Sequence, residues 1–400
     1  WSEIATGEWS SFLLQGHGAL VTSAEFSPDG RRIVTTSGDG DVRVWWEPAA
    51  GGWTYVVLDG HLSAVNFAAF SPDGQRVVSA SHDKTARVWR QDAAGVWSSI
   101  SLEGHKEHVV SAKFSPDGAR LVTASMDKTA RVWREDALGQ WSSVVLDGHD
   151  GWVYSAEFSQ DGSQVVTASE DGTARIWQEY ELGHWSSVTL GDHDGSVYSA
   201  SFSSDGAFVV TGGEDAIARV WRTTETGLWP SVGRIWRGED IDTAVYSADG
   251  TRVLTSSLDG HVRVWWQDAA ASWKSVNLEK LDALASADFS LDGSRIVTVY
   301  REGITKVWLE DSPGLWASVG LVGSSDVFSA KFSPDGARIA TSSRGDGPVR
   351  IWWEETPADW RSAILEGTGG GMSLEFSRNG TRVLTANWDG PARVWSEHSP

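Results

Sequence analysis

Cysteine is missing from all 400 residues, so the chain has no disulfide, no zinc–thiolate centre and no thiol nucleophile. That composition fits a reducing compartment, and a cytoplasmic location is the expectation. Basic residues are scarce: 33 Lys and Arg stand against 54 Asp and Glu, a formal charge of -21. A phosphate backbone is gripped by clustered Lys and Arg, so no nucleic-acid partner is expected. The acidity itself reads as solubility. No uninterrupted apolar run approaches the ~18 residues of a membrane-spanning helix, so no membrane partner is expected, and no signal peptide is recognisable. Apolar residues nowhere recur at helical spacing, and no Gly-rich phosphate loop leads into a helix. Asp-Gly turns are spread one per repeat and lack the clustered oxygen ligands that calcium needs. No metal and no cofactor are expected.

Tryptophan is the residue in excess, with 25 copies. Most fall into two series. One runs Trp45, Trp89, Trp133, Trp177, Trp221, Trp265, Trp308, Trp352, Trp395; the other runs Trp9, Trp53, Trp97, Trp141, Trp185, Trp229, Trp273, Trp316, Trp360. Both advance by 43 or 44 residues. Self-similarity at that period marks a repeat architecture, which escapes the size limit of a single core because each unit packs only on its neighbours.

One period shows the logic. In the third copy, Trp97 to Leu102 reads as a short strand, and Gly104-His105 as a loop. Val109 to Phe114 alternates as a buried strand, and Ser115-Pro116-Asp117-Gly118 turns the chain with Pro and Gly where turn geometry wants them. Arg120 to Ser125 and Thr129 to Trp133 are two more strands, separated by a turn at Met126-Asp127-Lys128. Four short antiparallel strands per ~40–45 residues is the signature of a propeller blade.

The Gly-His pair, the Ser-Pro-Asp-Gly turn and the Asp-x-Thr-Ala-Arg-Val-Trp run resemble the WD-repeat family over the whole chain. The near-identity of copies two to four resembles bacterial-type members amplified by recent duplication. The fold class expected is all-β: a single nine-bladed propeller spanning 1–400. Nine exceeds the usual ~4–8 blades, yet no linker or composition shift separates the copies. The phase of the chain predicts how the ring closes. An outermost strand near Trp9 to Leu14 comes first, and Ala392 to Trp395 comes last without an outer partner. Residues 9–14 are expected to zip onto 391–396 and remove the open edges. Trp1-Ser2-Glu3 also repeats Trp395-Ser396-Glu397, so the chain is expected to be a fragment of a larger protein. The resemblance implies a kinase or NTPase signalling protein as the parent, since such arrays often form the C-terminal part of bacterial relatives of that kind.

Each well-kept copy carries His, Ser, Asp and Trp at fixed spacing: His17, Ser37, Asp39, Trp45; His61, Ser81, Asp83, Trp89; His105, Ser125, Asp127, Trp133; His149, Ser169, Asp171, Trp177. The types are those of a hydrolytic triad. A catalytic set needs one cleft and an oxyanion site, and identical copies round a ring supply neither. The resemblance implies a buried hydrogen-bond network tying loop to turn in each blade. No catalytic residue is expected, and the chain is not expected to be an enzyme. The network is expected to decay: copy five has Gly213 in the Ser slot, copies six to nine replace the His by Arg237, Leu281, Gly323 or Ser324, and Thr368, and copy seven replaces the turn Asp by Glu302.

Three slots per copy break the repeat, and the resemblance points them at the contact face of the propeller. They lie just before the first strand, inside it, and just before the turn Asp. They hold His108, Val110 and Met126 in copy three; Trp152, Tyr154 and Glu170 in copy four; Ser196, Tyr198 and Glu214 in copy five; Asp326, Phe328 and Gly345 in copy eight; Gly370, Met372 and Trp388 in copy nine. Aromatic anchors dominate binding hot spots. With Glu170 and Glu214 nearby, these rings predict a patch suited to an Arg- or Lys-bearing peptide. The expectation is a monomeric, non-catalytic platform for a protein or peptide partner. The alternative is a small molecule or glycan in the central channel. Trp46, Trp266 and Trp353 are expected to pack between blades.

Overall fold

The computed structural model describes the chain apart from residues 1–7, 50, 192, 216, 225–226, 235–240, 258–260, 269–272, 281–283, 301–302, 313, 322–326, 344–346, 357, 366–372, 388–389 and 399–400. The described residues contain no helix and form nine sheets of four antiparallel strands each. In eight sheets the four strands follow in chain order, from the innermost outward. Blade three runs Val109–Phe114, Arg120–Ser125, Ala130–Glu135 and Trp141–Leu146. The outer strand predicted at the head of each repeat therefore belongs to the preceding blade.

Blade nine is the exception that closes the ring. Its inner strands are Ser373–Phe376, Arg382–Asn387 and Gly390–His398, and its outer strand is Glu8–Leu14 from the other end of the chain. The pairing runs from Glu8 opposite His398 to Leu14 opposite Ala392. The expected zip is present, a residue or two longer than predicted.

The core sits between blades. Val78, Ala80, Ala86, Val88 and Leu102 of blade two pack against Val109, Ala112, Leu121 and Trp133 of blade three. The closing seam is built the same way: Leu14, Leu384, Ala386, Ala392 and Val394 of blade nine meet Val21, Phe26, Ile33 and Trp45 of blade one. No blade buries its apolar face alone, which is why a run of similar repeats folds as one unit. Trp266 of blade six behaves as expected of a seam residue, since a Cβ on Gly314 in blade seven would lie 2.4 Å from its ring.

One irregularity positions the candidate site. In eight blades the innermost strand slips register against its neighbour after its first residue, as between Val153 and Ser155. A bulge leaves one residue out of the ladder and re-aims its side chain. The bulged residues include Thr22, Asn66, Val110, Tyr154, Tyr198 and Phe328. These are the in-strand slots at which the repeats diverge.

Candidate functional site

In blades one to five the turn before the third strand is pinned to the loop before the first. Backbone bonds join Gly38 to Leu20, His82 to Ala64, Met126 to His108, Glu170 to Trp152, and Glu214 to Ser196, at 2.8–3.0 Å. The two loop slots singled out in sequence are thus neighbours in each of these five blades, and the bulged slot lies beside them.

Blades four and five bring the candidate residues into one cluster. The Tyr154 and Tyr198 rings stand 5.7 Å apart across the seam, tilted by 45°. The Trp152 N–H donates to Glu170 Oε2 at 3.2 Å, and the Ser196 N–H donates to Glu214 Oε2 at 3.1 Å. Tyr154 is hydrogen-bonded to the Ser196 side chain. Burial raises the Tyr154 phenol above its usual pKa, the Ser196 bond opposes this, and the nearby Glu170, Tyr198 and Glu214 add to it. Trp152 and Tyr198 are nevertheless 42% and 45% exposed. The arrangement presents aromatic surface with carboxylates at its edge, a combination that attracts cations.

Blades two and three carry a second feature of this face. The His82 and His108 rings stack at 4.2 Å, only 8° from parallel. Burial lowers the His82 pKa, and the neighbouring His108 adds to that. Sequence reasoning named His108 and Met126 but passed over His82, although it fills the same pre-Asp slot as Met126. Lys84 and Glu107 bridge the same two loops at 3.3 Å. Phe328 is half-buried on the innermost strand of blade eight. Met372 and Trp388, with Asp326, Gly345 and Gly370, lie outside the described residues.

The His-Asp network is present in blades one to five, with one correction. His61 Nδ1 meets Asp83 at 2.7 Å, and the equivalent distances are 2.8 Å for His105–Asp127, His149–Asp171 and His193–Asp215, and 3.2 Å for His17–Asp39. The hydroxyl that joins His to Trp is not Ser37, Ser81, Ser125 or Ser169. It belongs to the residue two positions earlier: Thr35, Ser79, Thr123, Thr167 and, in blade five, Thr211. His105 Nε2 and Trp133 Nε1 both meet Thr123 Oγ1, at 2.8 and 2.9 Å. The same pair of contacts recurs at the other four positions.

The physical reason is alternation along the strand: residues two apart share a face, so spacing alone selects both hydroxyls and cannot rank them. Ser125 lies two residues closer to the loop, accepts the Asp127 N–H at 3.0 Å and donates to the Glu107 carbonyl at 3.2 Å. Gly213 accordingly does not break blade five, whose Thr211 completes the network at 2.9 Å from His193 and 3.0 Å from Trp221. Trp265, Trp308 and Trp352 keep their bonds to Thr255, Thr298 and Thr341. The positions expected to have lost the His, and Glu302, lie outside the described residues.

Donor logic fixes the proton positions. The Asp127 carboxylate can only accept, so His105 Nδ1 carries the ring proton; in a neutral imidazole Nε2 is then the acceptor, and Thr123 Oγ1, which accepts from Trp133 Nε1, donates to it. The ring N–H at Nδ1 then donates to Asp127. Burial would push this carboxyl up, but bonds from His105, Thr129 and the Lys106 N–H hold it well below the usual range. Asp83 is held low in the same way. Thr123 is fully buried, so no substrate reaches its oxygen, and the set cannot act as a nucleophilic triad.

In blade one His17, Asp39 and Asp41 each bring a donor atom within 4.8 Å of the others. His17 and the Gly18 N–H already engage Asp39, and Arg43 engages Asp41 at 3.0 Å. A cavity of about 630 Å³, lined by Gln15 to Leu20 and Pro391, adjoins them.

The sequence pattern of the family described as WD domain, G-beta repeat matches residues 9–45, 52–90, 97–134, 141–178, 185–222, 234–265 and 318–352. Among curated proteins no match is found. Each matched segment joins the outer strand of one blade to inner strands of the next, so the repeat unit and the blade are offset by one strand. The two stretches between and after the last matches supply most of the strands of blades seven and nine, which are four-stranded like the others. The pattern covers more than half of the residues, and the chain belongs to the WD domain, G-beta repeat family.

Proposed function

We propose that the loop face of blades two to five is a non-catalytic docking platform for a protein or peptide that offers Arg or Lys side chains. WD propellers generally serve as protein-interaction platforms. The observation that carries the finer reading is the Tyr154–Tyr198 contact, ringed by Glu170, Glu214 and exposed Trp152 at positions where near-identical repeats diverge. An Arg side chain laid on these rings gains a cation–π contact of ~0.5–2 kcal/mol and a charge-assisted bond at its edge. The net charge of -21 draws a basic partner towards the whole molecule. A signalling context, a cytoplasmic location and a monomeric state belong to the same reading.

Fluorescence anisotropy with labelled peptides of equal length tests it. An Arg-containing peptide pool should bind wild type, and binding should fall at least tenfold in the Trp152→Ala, Tyr154→Ala, Tyr198→Ala variant. An acidic pool should not bind either. Equal binding to wild type and variant moves the site elsewhere. A second reading, a small ligand in the central channel, is favoured by a cavity of about 340 Å³ whose lining includes Asp288, Lys331, Glu375 and Phe332. It predicts a thermal shift with small molecules that the triple variant leaves unchanged.

A further inference from the structure

The innermost strand of each blade has no partner on its channel side, so its amides need other acceptors. The residue before the strand's terminal aromatic supplies them across the seam. Glu375 of blade nine accepts the Phe26 N–H of blade one at 3.4 Å, and Glu157 of blade four accepts the Phe202 N–H of blade five at 3.3 Å. Glu25 takes the Phe70 N–H, and Asp288 takes the Phe332 N–H, in the same manner. This position breaks the repeat and carries six charged residues: Glu25, Lys113, Glu157, Asp288, Lys331 and Glu375.

Four of the six form ion pairs across seams, Lys113 with Glu157 at 3.2 Å and Lys331 with Asp288 at 2.9 Å. Glu25 and Glu375 remain, on blades one and nine. The groups that act on them are few. Glu25 faces Glu375, Lys113 and the Phe70 amide; Glu375 faces Lys331 and the Phe26 amide. Both lysines are already committed to other carboxylates. The Phe26 N–H that Glu375 accepts belongs to the residue after Glu25, so the two acids are neighbours where blades nine and one meet, while the Glu25 carboxyl itself reaches on towards blade two.

We propose that Glu25 and Glu375 form a proton latch on the closing seam, which holds blades nine and one together when protonated and loosens that seam before any other when ionised. Burial, helped by Glu375, pushes the Glu25 carboxyl up to about 8, and burial pushes Glu375 up to about 7. Both folded values lie above the ordinary 4.5. The stability they contribute is fully present below that ordinary value and is lost as pH rises through about 7 and then about 8. Burial also raises the Asp288 carboxyl, opposed in part by its Lys331 partner, so the Lys113–Glu157 seam is the reference against which the loss at the closing seam is read.

Hydrogen exchange followed by mass spectrometry tests the latch on the full chain, with rates corrected for the intrinsic pH dependence of amide exchange. Peptides covering 21–26 and 373–376 report the closing seam; 153–158 reports an ion-paired one. From pH 6 to pH 9 the closing-seam peptides should lose protection relative to 153–158 by on the order of tenfold or more and level off above about 8, since each unit of pH between the ordinary and the raised pKa is worth ~tenfold. The Glu25→Gln, Glu375→Gln variant keeps a carbonyl oxygen for each amide but cannot ionise, and should show no selective loss. Glu157→Gln should respond as wild type does. The single Glu375→Gln variant removes the charge that helps to raise Glu25, so the remaining loss on the closing seam should shift to lower pH while 153–158 is unchanged. Protection lost equally round the ring overturns the latch, as does a double variant that still loosens selectively at the closing seam.

Discussion

Arg382 of blade nine donates from Nη1 to the carbonyl of Gly30 in blade one at 3.1 Å, across 352 residues of sequence. The same reach is made by Arg76 to Gly118 at 2.6 Å, and Arg32, Arg120 and Arg338 bond to Gly74, Gly162 and Gly380. Each of these arginines starts the second strand of its blade and grips the turn of the next, an Asp-Gly turn except at Asn379-Gly380. Arg382 also pairs with Glu47 at 2.7 Å and lies 5.0 Å over the Trp53 ring. The seam between the chain ends is therefore built from the same parts as the covalently continuous seams.

That equivalence predicts how the ring fails. Leu14 is fully buried between blades nine and one, and Leu14→Ala should cost about 2–4 kcal/mol through lost burial and a cavity. Arg382→Ala removes a part-exposed clasp and should cost about 1 kcal/mol. Deleting residues 8–14 strips the outer strand from blade nine and should expose Gly390–His398 to limited proteolysis before any other strand. A deletion variant that melts like wild type and resists protease would show that the strand pairing does not hold the ring.

Much of this was legible in the sequence, because repetition multiplies a weak local signal. One Ser-Pro-Asp-Gly turn proves little, whereas nine strands in register with two Trp series fix blade number, strand order and the closing partner. Legibility ended where geometry within a strand mattered. Ser125 and Thr123 are both hydroxyls on one face of one strand, and only the fold shows which meets His105 and Trp133. The charged residues at Glu25, Lys113 and Glu375 were also passed over. They look like scattered surface charges until adjacent innermost strands place them against one another.

Acid should act on the His-Asp networks from two sides. Burial lowers the pKa of His17 and His149, with Asp39 and Asp171 opposing only in part. Their contribution is present above the ordinary 6.5 and is lost as pH falls below it. Asp39, Asp83, Asp127, Asp171 and Asp215 are all held below 3.8, so theirs is lost only under stronger acid. The Glu25 and Glu375 carboxyls oppose the histidine effect over the same range. Melts are therefore best read in the Glu25→Gln, Glu375→Gln background, where Tm should fall from pH 6.5 to 5 and again below about 4. A Tm that rises over the first interval would contradict the assigned direction.

Lys84 and Lys128 are held at φ of 72° and 73°, in the turn that Gly40 and Gly172 occupy in blades one and four. The left-handed region costs a residue with a Cβ roughly 1–2 kcal/mol, while glycine returns up to ~1 kcal/mol in chain entropy. Lys128→Gly should therefore stabilise blade three by up to about 1 kcal/mol in denaturant melts. Lys84→Gly should gain less, because it also removes the bridge to Glu107.

The two hydroxyls of blade three separate the observed network from the one the spacing predicted. Thr123→Val keeps the shape of the side chain but strands the Trp133 N–H and the His105 Nε2, both buried. Each buried polar atom left without a partner costs ~1–3 kcal/mol, so this variant should lose about 2–4 kcal/mol. Ser125→Ala removes bonds to the Asp127 N–H and the Glu107 carbonyl at the loop end of the strand, where water reaches more easily, and should lose about 1 kcal/mol. The indole N–H resonance of Trp133 gives a second reading, since it should move and exchange faster in Thr123→Val and stay in place in Ser125→Ala. The reverse order of stabilities, or an indole resonance that moves only when Ser125 is changed, would return the role of ring-to-ring bridge to the serine.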